Sequence, residues 1–331
     1  MPDATIYDVA ELASVSISTV SRVLNAPERV NQATRARVLT AIDQLHFVPR
    51  AEATARARKG IRRIGVLAPF FTFPSFVQRL RGVANALADT AYEMVIYNVE
   101  SVASRDHQLA VLPVTRRIDG LIVMALPFGG AVAERLVAHR LETVSLEFSV
   151  GQFSSVEIDD YAGGQLVARY LVERGHRRCG FVGDSSVPDY AIHTSDRRLE
   201  GFRQELREAG LNLPPPYVGL APHGMEQARL QAGLLLDLPE PPTAIFAPSD
   251  TQAMGVLKAA RDRGVAVPGE LAVIGFDDVE MADYIGLTTV RQPLEESGRV
   301  AVDLLLARLA EPDRSSQRVT LSLTLVRRET A

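Results

Sequence analysis

Residues 5–25 read TIYDVAELASVSISTVSRVLN, and this stretch decides how the chain begins. Thr5 is placed to cap a helix over Ile6–Ala13, with acidic Asp8 and Glu11 near its start. Ile6, Val9, Ala10 and Ala13 recur at helical spacing and form its apolar stripe. Ser14-Val15-Ser16 interrupts the pattern with residues that favour turns and caps. Ser16 or Ser18 then caps a second helix reaching Leu24, in which Val20, Val23 and Leu24 turn inward. Thr19, Ser21, Arg22 and Asn25 remain outside, all short or cationic hydrogen-bonding groups. A third helix is expected from Gln32 to Leu45, with Val38, Leu39, Ile42 and Leu45 on one face. Two helices joined by a short turn, the second polar outside, form a helix-turn-helix unit; the same spacing also suits a plain three-helix bundle.

Working outward, charge separates this head from the remainder. Residues 1–63 hold nine arginines and Lys59 against six acids, a local +4 in a chain whose net charge is -4, so the body sums to -8. A basic head on an acidic body directs a polyanion to the head alone. At 331 residues, 47% hydrophobic and 23% charged, the chain is globular and long enough for two or three domains. The opening residues show no basic-then-apolar signal pattern, and no apolar run reaches the ~18 residues that span a bilayer. The lone cysteine, Cys179, excludes an internal disulfide and reads as a core thiol in a strand. A cytoplasmic protein without membrane association is expected.

From Arg63 the texture changes. IGVLA, MVIYNV, GLIVMA and TVSLEF, then CGFVGD, YVGLA, AIFAPSD and LAVIGFDD, are apolar runs without alternation. Helical stretches such as 76–90, 130–140, 198–209, 225–236 and 250–263 separate them. This is the pattern of parallel sheets covered on both faces. Two series predict two doubly wound lobes. The expected division is a helix-turn-helix domain at 1–49, a hinge at 50–62, an N-terminal lobe from 63–158 plus 291–318, and a C-terminal lobe from 159–290 plus 319–331. TTVRQP and the helix 295–310 are expected to return to the first lobe.

Ligands of open α/β sheets sit at the carboxyl ends of strands. Glu147, Asp159, Ser249, Asp250 and Asp277 end strands here; Arg198 is expected to open a helix, as is Phe76. Carboxylates beside an arginine suit sugar hydroxyls, and an aromatic face suits a sugar's C–H side. Each carboxylate can equally cap a helix or form a surface ion pair, and Asp250 is read as the cap of its own helix. GxSxG, Walker and GxGxxG motifs are absent, and the six histidines are scattered without metal-ligand spacing. His176 reads as structural and His223 as a solvated loop residue. No enzyme, cofactor or metal is expected.

The runs 5–25 and RVNQATRARVLTAIDQLHFVP, residues 29–49, closely resemble the DNA-binding head of the LacI/GalR family of bacterial repressors, and the likeness continues over nearly the whole chain. The resemblance implies a periplasmic-binding-protein type I body with a small effector between its lobes, and a homodimer on double-stranded operator DNA. Ile17, Ser18 and Arg22 match positions that read base edges; Thr5, Ser16, Thr19, Ser21, Asn25 and Thr34 match positions that grip phosphate. RAEATARARKG, residues 50–60, matches the hinge that enters the minor groove, with Arg56 where the family commonly carries leucine. Phe76, Glu147, Asp159, Thr194, Arg198 and Asp277 match positions lining the effector pocket. Glu147 stands where aspartate is common and Ser249 where asparagine is common. A carbohydrate is the first choice of effector, a nucleobase or other small metabolite the second. The rival readings are a DNA-binding or architectural protein without an effector, and a solute-binding protein with the same body.

Overall fold

A computed structural model describes residues 4–25, 29–45, 47, 62–185 and 189–331. Residues 50–61 of the expected hinge, Arg56 among them, lie outside the described residues. The head contains α1 (Ile6–Leu12), α2 (Ile17–Asn25) and α3 (Gln32–Leu45). Thr5 caps α1 in a capping box: its backbone N–H donates to Asp8 Oδ2 at 2.6 Å, while its hydroxyl accepts from the Asp8 N–H at 3.4 Å. The Thr5 hydroxyl, which also donates to Asp8 Oδ2 at 2.7 Å, and then the Thr5 N–H hold the Asp8 carboxyl below its ordinary range. Ser16 caps α2, accepting from the Thr19 N–H at 3.2 Å, and Asn31 caps α3, accepting from the Thr34 N–H at 2.8 Å. Val9, Val20, Val23, Val38 and Ile42 are fully buried, so the inward stripes meet as their spacing requires.

Two sheets build the body. The first has strand order β11-β5-β4-β3-β1-β2, from β1 (Arg62–Ala68), β2 (Tyr92–Asn98), β3 (Gly120–Met124), β4 (Glu142–Leu146), β5 (Ser154–Glu157) and β11 (Arg318–Thr320). The second has order β12-β10-β9-β8-β6-β7, from β6 (Cys179–Asp184), β7 (Val218–Ala221), β8 (Ala244–Phe246), β9 (Ala272–Asp277), β10 (Thr288–Arg291) and β12 (Thr324–Val326). The central pairings are parallel, for example Val66 opposite Ile96 and Ile122 in the first sheet and Phe246 opposite Ile274 in the second. Every residue of β3 and of β9 is buried, which is what strands covered on both faces require.

Helices supply that cover: α4 (Pro74–Leu87), α5 (Val102–Thr115) and α6 (Gly130–Ala138) follow strands of the first series, and α7 (Asp160–Glu173), α8 (Thr194–Glu208), α9 (Met225–Leu236) and α10 (Asp250–Asp262) belong to the second. The short α11 (Glu280–Tyr284) and the long α12 (Leu294–Ala310) complete the set. Chain contacts divide into two compact units, Met1–Phe70 with Val83–Ser155 and Ala301–Gln317, and Phe71–Gly82 with Val156–Val300 and Arg318–Ala331.

The strand within TTVRQP does not return to the first sheet. It forms β10 beside β9 in parallel, Val290 opposite Phe276, because its Thr288, Thr289 and Val290 fill a buried slot next to β9. Helix α8 also begins four residues before the expected start. Thr194, Ser195 and Asp196 form its first turn, where short polar and acidic residues are favoured, so Arg198 lies inside the helix rather than opening it. Likewise α4 starts at Pro74, a residue suited to a first helical position, and Phe76 falls in its first turn.

In the second unit one sheet face packs Phe181, Phe246 and Phe276 under α7 and α8, where Phe202 of α8 meets them. The other packs Val182, Ile245 and Val273 against α9 and α10. Helices α7 and α8 touch backbone to backbone: a Cβ added to Gly164 would lie 2.0 Å from the Arg198 carbonyl oxygen, and one on Gly201 would lie 1.9 Å from that of Tyr161. Only glycine permits this crossing, and the crossing brings Asp160 at the start of α7 to Arg198 on α8.

Candidate DNA-binding face and effector site

On the head, the geometry follows from the helix period. With Val20, Val23 and Leu24 inward, Arg22 and Ser18 stand exposed and Ile17 is 40% exposed. Thr19 and Ser21 are half-buried flanks. The Ser16 hydroxyl lies 2.8 Å from that of Ser18 and 2.9 Å from that of Thr19, a cluster of small donors at the amino end of α2. A helix amino terminus lined with hydroxyls suits a phosphate oxygen, and an exposed arginine one turn on can reach a base edge. Thr5 and Thr34 sit at the amino ends of α1 and α3. Asn25 is the last residue of α2.

In the second unit the strand ends carry a connected polar cluster. Arg198 is 4% exposed. Its Nε donates to Asp160 Oδ1 at 2.8 Å, one Nη donates to the Pro248 carbonyl at 2.5 Å, and the same Nη lies 3.8 Å from Asp277 Oδ1. Its guanidinium also rests 3.6 Å from the centre of the Phe276 ring. A buried arginine is tolerable only with such partners. Asp277 is 7% exposed and accepts a hydrogen bond from the Gln292 amide, whose oxygen accepts from Arg79 Nη2 at 2.9 Å. Arg79 lies over the Phe76 ring at 5.6 Å, so Phe76 belongs to the same assembly.

A second group adjoins Ser249. Its hydroxyl caps α10, accepting from the Gln252 N–H at 3.2 Å and donating to Gln252 Oε1 at 2.9 Å. Ser249 therefore takes the capping role assigned to Asp250, since the cap residue must stand in extended geometry one place before the helix. Asp250 is instead fully buried at the first helical position. The Gln252 amide donates to Asp184 Oδ1 at 3.0 Å, and His223 Nδ1 lies 3.2 Å from the same oxygen. The His223 ring stacks on Phe73 at 4.9 Å and 18°. His223 is thus a half-buried, partnered residue rather than a solvated one.

The remaining expected residues are placed individually. Thr194 begins α8 and is half-buried. Asp159 is exposed and caps α7, accepting from the Ala162 N–H at 2.9 Å, while its neighbour Asp160 takes the partnership with Arg198. Glu147 follows β4 in the first unit, half-buried, with a left-handed φ of 72°. Sequence reasoning passed over Asp184 and Gln292, yet both stand at carboxyl ends of strands, the same signal that singled out Asp277. Arg79 lies one helical turn from Phe76 and was legible only as its neighbour.

Other titratable groups behave as structure. Burial pushes the Cys179 thiol up to about 12 and lowers His176, whose Nδ1 is 3.0 Å from the Thr243 hydroxyl. Among the described residues, no group of three or more His, Cys, Asp or Glu side chains is arranged to hold a metal ion, and no helix is long and apolar enough to cross a membrane.

A helix-turn-helix head followed by two parallel-sheet units, with a polar cluster at strand ends, defines a ligand-sensing DNA-binding regulator. Residues 5–50 match the family of bacterial regulatory proteins, lacI family, and residues 168–331 match the periplasmic binding protein-like domain. The ribose operon repressor of Escherichia coli (strain K12) is 32% identical over 334 residues, covering 99% of this chain and 100% of the relative. Among solved structures, a transcriptional regulator CelR–cellobiose complex superposes with a TM-score of 0.71 at 27% identity, over 99% of this chain and 100% of the other. A LacI family transcriptional regulator from Enterococcus faecium with bound ribose gives a TM-score of 0.70 at 27% identity, over 82% and 98%. This chain belongs to the LacI family of bacterial transcriptional regulators.

Proposed function

We propose that the chain is a homodimeric, cytoplasmic repressor without enzymatic activity, whose heads bind a two-fold symmetric operator and whose sensor binds a sugar that changes operator affinity. The proposed division is a head at 1–49, a hinge at 50–62 carrying Arg56 toward the minor groove, and sensor lobes at 63–158 plus 291–318 and 159–290 plus 319–331. Ile17, Ser18 and Arg22 read bases; Thr5, Ser16, Thr19, Ser21, Asn25 and Thr34 grip phosphates. Phe76, Glu147, Asp159, Thr194, Arg198, Ser249 and Asp277 bind the effector.

The observation that carries the effector reading is the buried Arg198, held by Asp160 with Asp277 at 3.8 Å. Charge-assisted groups fixed in place at a strand end provide donors and acceptors for the paired hydroxyls of a sugar. The relatives with bound ribose and cellobiose support that class. The parallel Phe73 and His223 rings favour a flat nucleobase as the second reading. Dimerisation is supported by Met281 and Tyr284 on α11, Tyr284 being 79% exposed.

The test is selection of duplexes from a randomised pool at fixed salt, followed by release measurements with ribose, cellobiose and nucleosides. A symmetric site released or tightened by a sugar supports the reading, and enrichment of no site refutes it. Asp277→Ala should abolish the effector response while operator binding persists; a normal response would remove Asp277 from the site.

A further inference from the structure

We propose that Asp250 is a positioning residue of the effector site, holding the turn Asp277–Asp278–Val279 so that Asp277 presents its carboxylate beside Arg198. The inference rests on the reading of Asp277 as an effector contact, and its own geometry is independent of which ligand binds.

Asp250 is the first residue of α10 and is 0% exposed. Its Oδ2 accepts the Val279 N–H at 2.8 Å, and its Oδ1 accepts the Thr289 hydroxyl at 2.5 Å. Gly275 of β9 makes room for it: a Cβ there would lie 2.3 Å from Asp250 Oδ1. The turn it grips is unusual. Asp277 has φ 114° and Asp278 has φ 57°, two consecutive left-handed aspartates. Such residues cost on the order of 1–3 kcal/mol each and persist only where their surroundings over-determine them. Val279 supplies the first amide after the pair, and Asp250 is its acceptor. One end of the turn is therefore anchored through α10, and the other is the end of β9.

Charge is divided to match. Asp277 faces Arg198 and Gln292, and Asp278 pairs with Arg291 at 2.6 Å and Arg328 at 2.8 Å. Among the described residues, Asp250 receives the neutral donors Thr289 and Val279. Burial first, and the neighbouring Asp277 charge second, hold the Asp250 carboxyl well above the ordinary carboxylate range. The raised Asp250 carboxyl is the neutral neighbour that lets Asp277 face Arg198 in a low dielectric.

Asparagine can mimic the protonated acid: its oxygen accepts from Val279, and its amide donates to the Thr289 oxygen, as an O–H on Oδ1 does once the carboxyl is protonated and that contact reverses direction. Alanine supplies neither group. The experiment measures amide hydrogen exchange of full-length Asp250→Asn, Asp250→Ala and wild-type protein, with ribose and cellobiose titrated against all three and against Asp277→Ala. The expected result is wild-type protection of the Val279 amide in the asparagine variant and at least a tenfold loss in the alanine variant, with Phe181 of β6 unchanged. Sugar affinity should follow the same order, while operator binding without sugar is retained. Full Val279 protection in the alanine variant overturns the proposal, as does equal loss in both variants. If Asp277→Ala binds sugar normally, the effector reading fails while the Val279 result stands; if it loses sugar and Asp250→Ala does not, only the positioning role fails.

Stability against pH supplies a second readout. A folded-state pKa above the unfolded value of about 3.8 makes the aspartate's contribution full below that pH and lost as pH rises. Asp250→Asn should therefore be more stable than wild type at neutral pH, and the gain should close toward pH 4. Lower stability of the asparagine variant at neutral pH would overturn the proton assignment.

Discussion

Arg22 and Arg198 are both helix-borne arginines in polar company, yet one stands exposed on α2 and the other is 4% exposed on α8. In the head, Arg22 and Ser18, read as DNA contacts, stand open while apolar side chains, Phe47 among them, fill the interior, so apart from the capping Thr5 and Ser16 the groups read as contacts are not those that hold the fold. In the second unit Arg198, Asp160, Asp277 and Gln292 satisfy one another in the interior, so the groups read as ligand contacts also hold the fold. A surface built to meet a polyanion gains from unsatisfied donors. A buried site must satisfy its charges before the ligand arrives, because unpaired buried charge is costly.

Arg198→Ala tests that contrast most severely. It strands Asp160 and Asp277 and should destabilise the protein by about 3–5 kcal/mol, read from the urea midpoint. A change below about 0.5 kcal/mol would erase the distinction from a surface residue. Gly201→Ala forces a methyl against the Tyr161 carbonyl and should cost about 1–3 kcal/mol in the same measurement, with a weakened sugar response because the α7–α8 crossing places Asp160. Arg22→Ala should leave the unfolding midpoint unchanged while lowering affinity for the selected operator by about 1–3 kcal/mol, with non-specific binding nearly intact. Equal loss on specific and random duplexes would make Arg22 a phosphate contact. Thr5→Ala removes the capping box and should cost about 1 kcal/mol of stability, sharpening the comparison because this residue, like Ser16 on α2, is read as serving both purposes in the head. An unchanged melting profile would show that the cap acts only toward DNA.

Legibility differed between the regions for a local reason. The head could be read nearly residue by residue, since a cap, a 3.6-residue stripe and a turn all lie within twenty positions. Helices α5 and α7 were not anticipated as separate elements. In α5 Val111, Leu112, Pro113, Val114 and Thr115 are buried in succession, which blurs the amphipathic period, and the buried face of α7 includes Gly163 and Gly164, which carry no apolar side chain to signal it. Asp159 and Asp160 show the limit at one position. Adjacent carboxylates at a helix start are equivalent in sequence, and only the angle of the first turn sends one to the cap and the other to Arg198.

The sequence by itself determined the three head helices and their inward faces, the alternation of strands and helices, and the presence of acidic groups at strand ends. Each of these depends on neighbours within a few residues. The tertiary structure alone decided that β10 joins the second sheet, that Asp184, His223 and Gln252 meet, and that Arg79, Gln292, Asp277 and Arg198 form one chain of contacts. Those residues lie as far as 213 positions apart. Their meeting is set by strand order and by a helix crossing two glycines allow, and neither leaves a periodic trace along the chain.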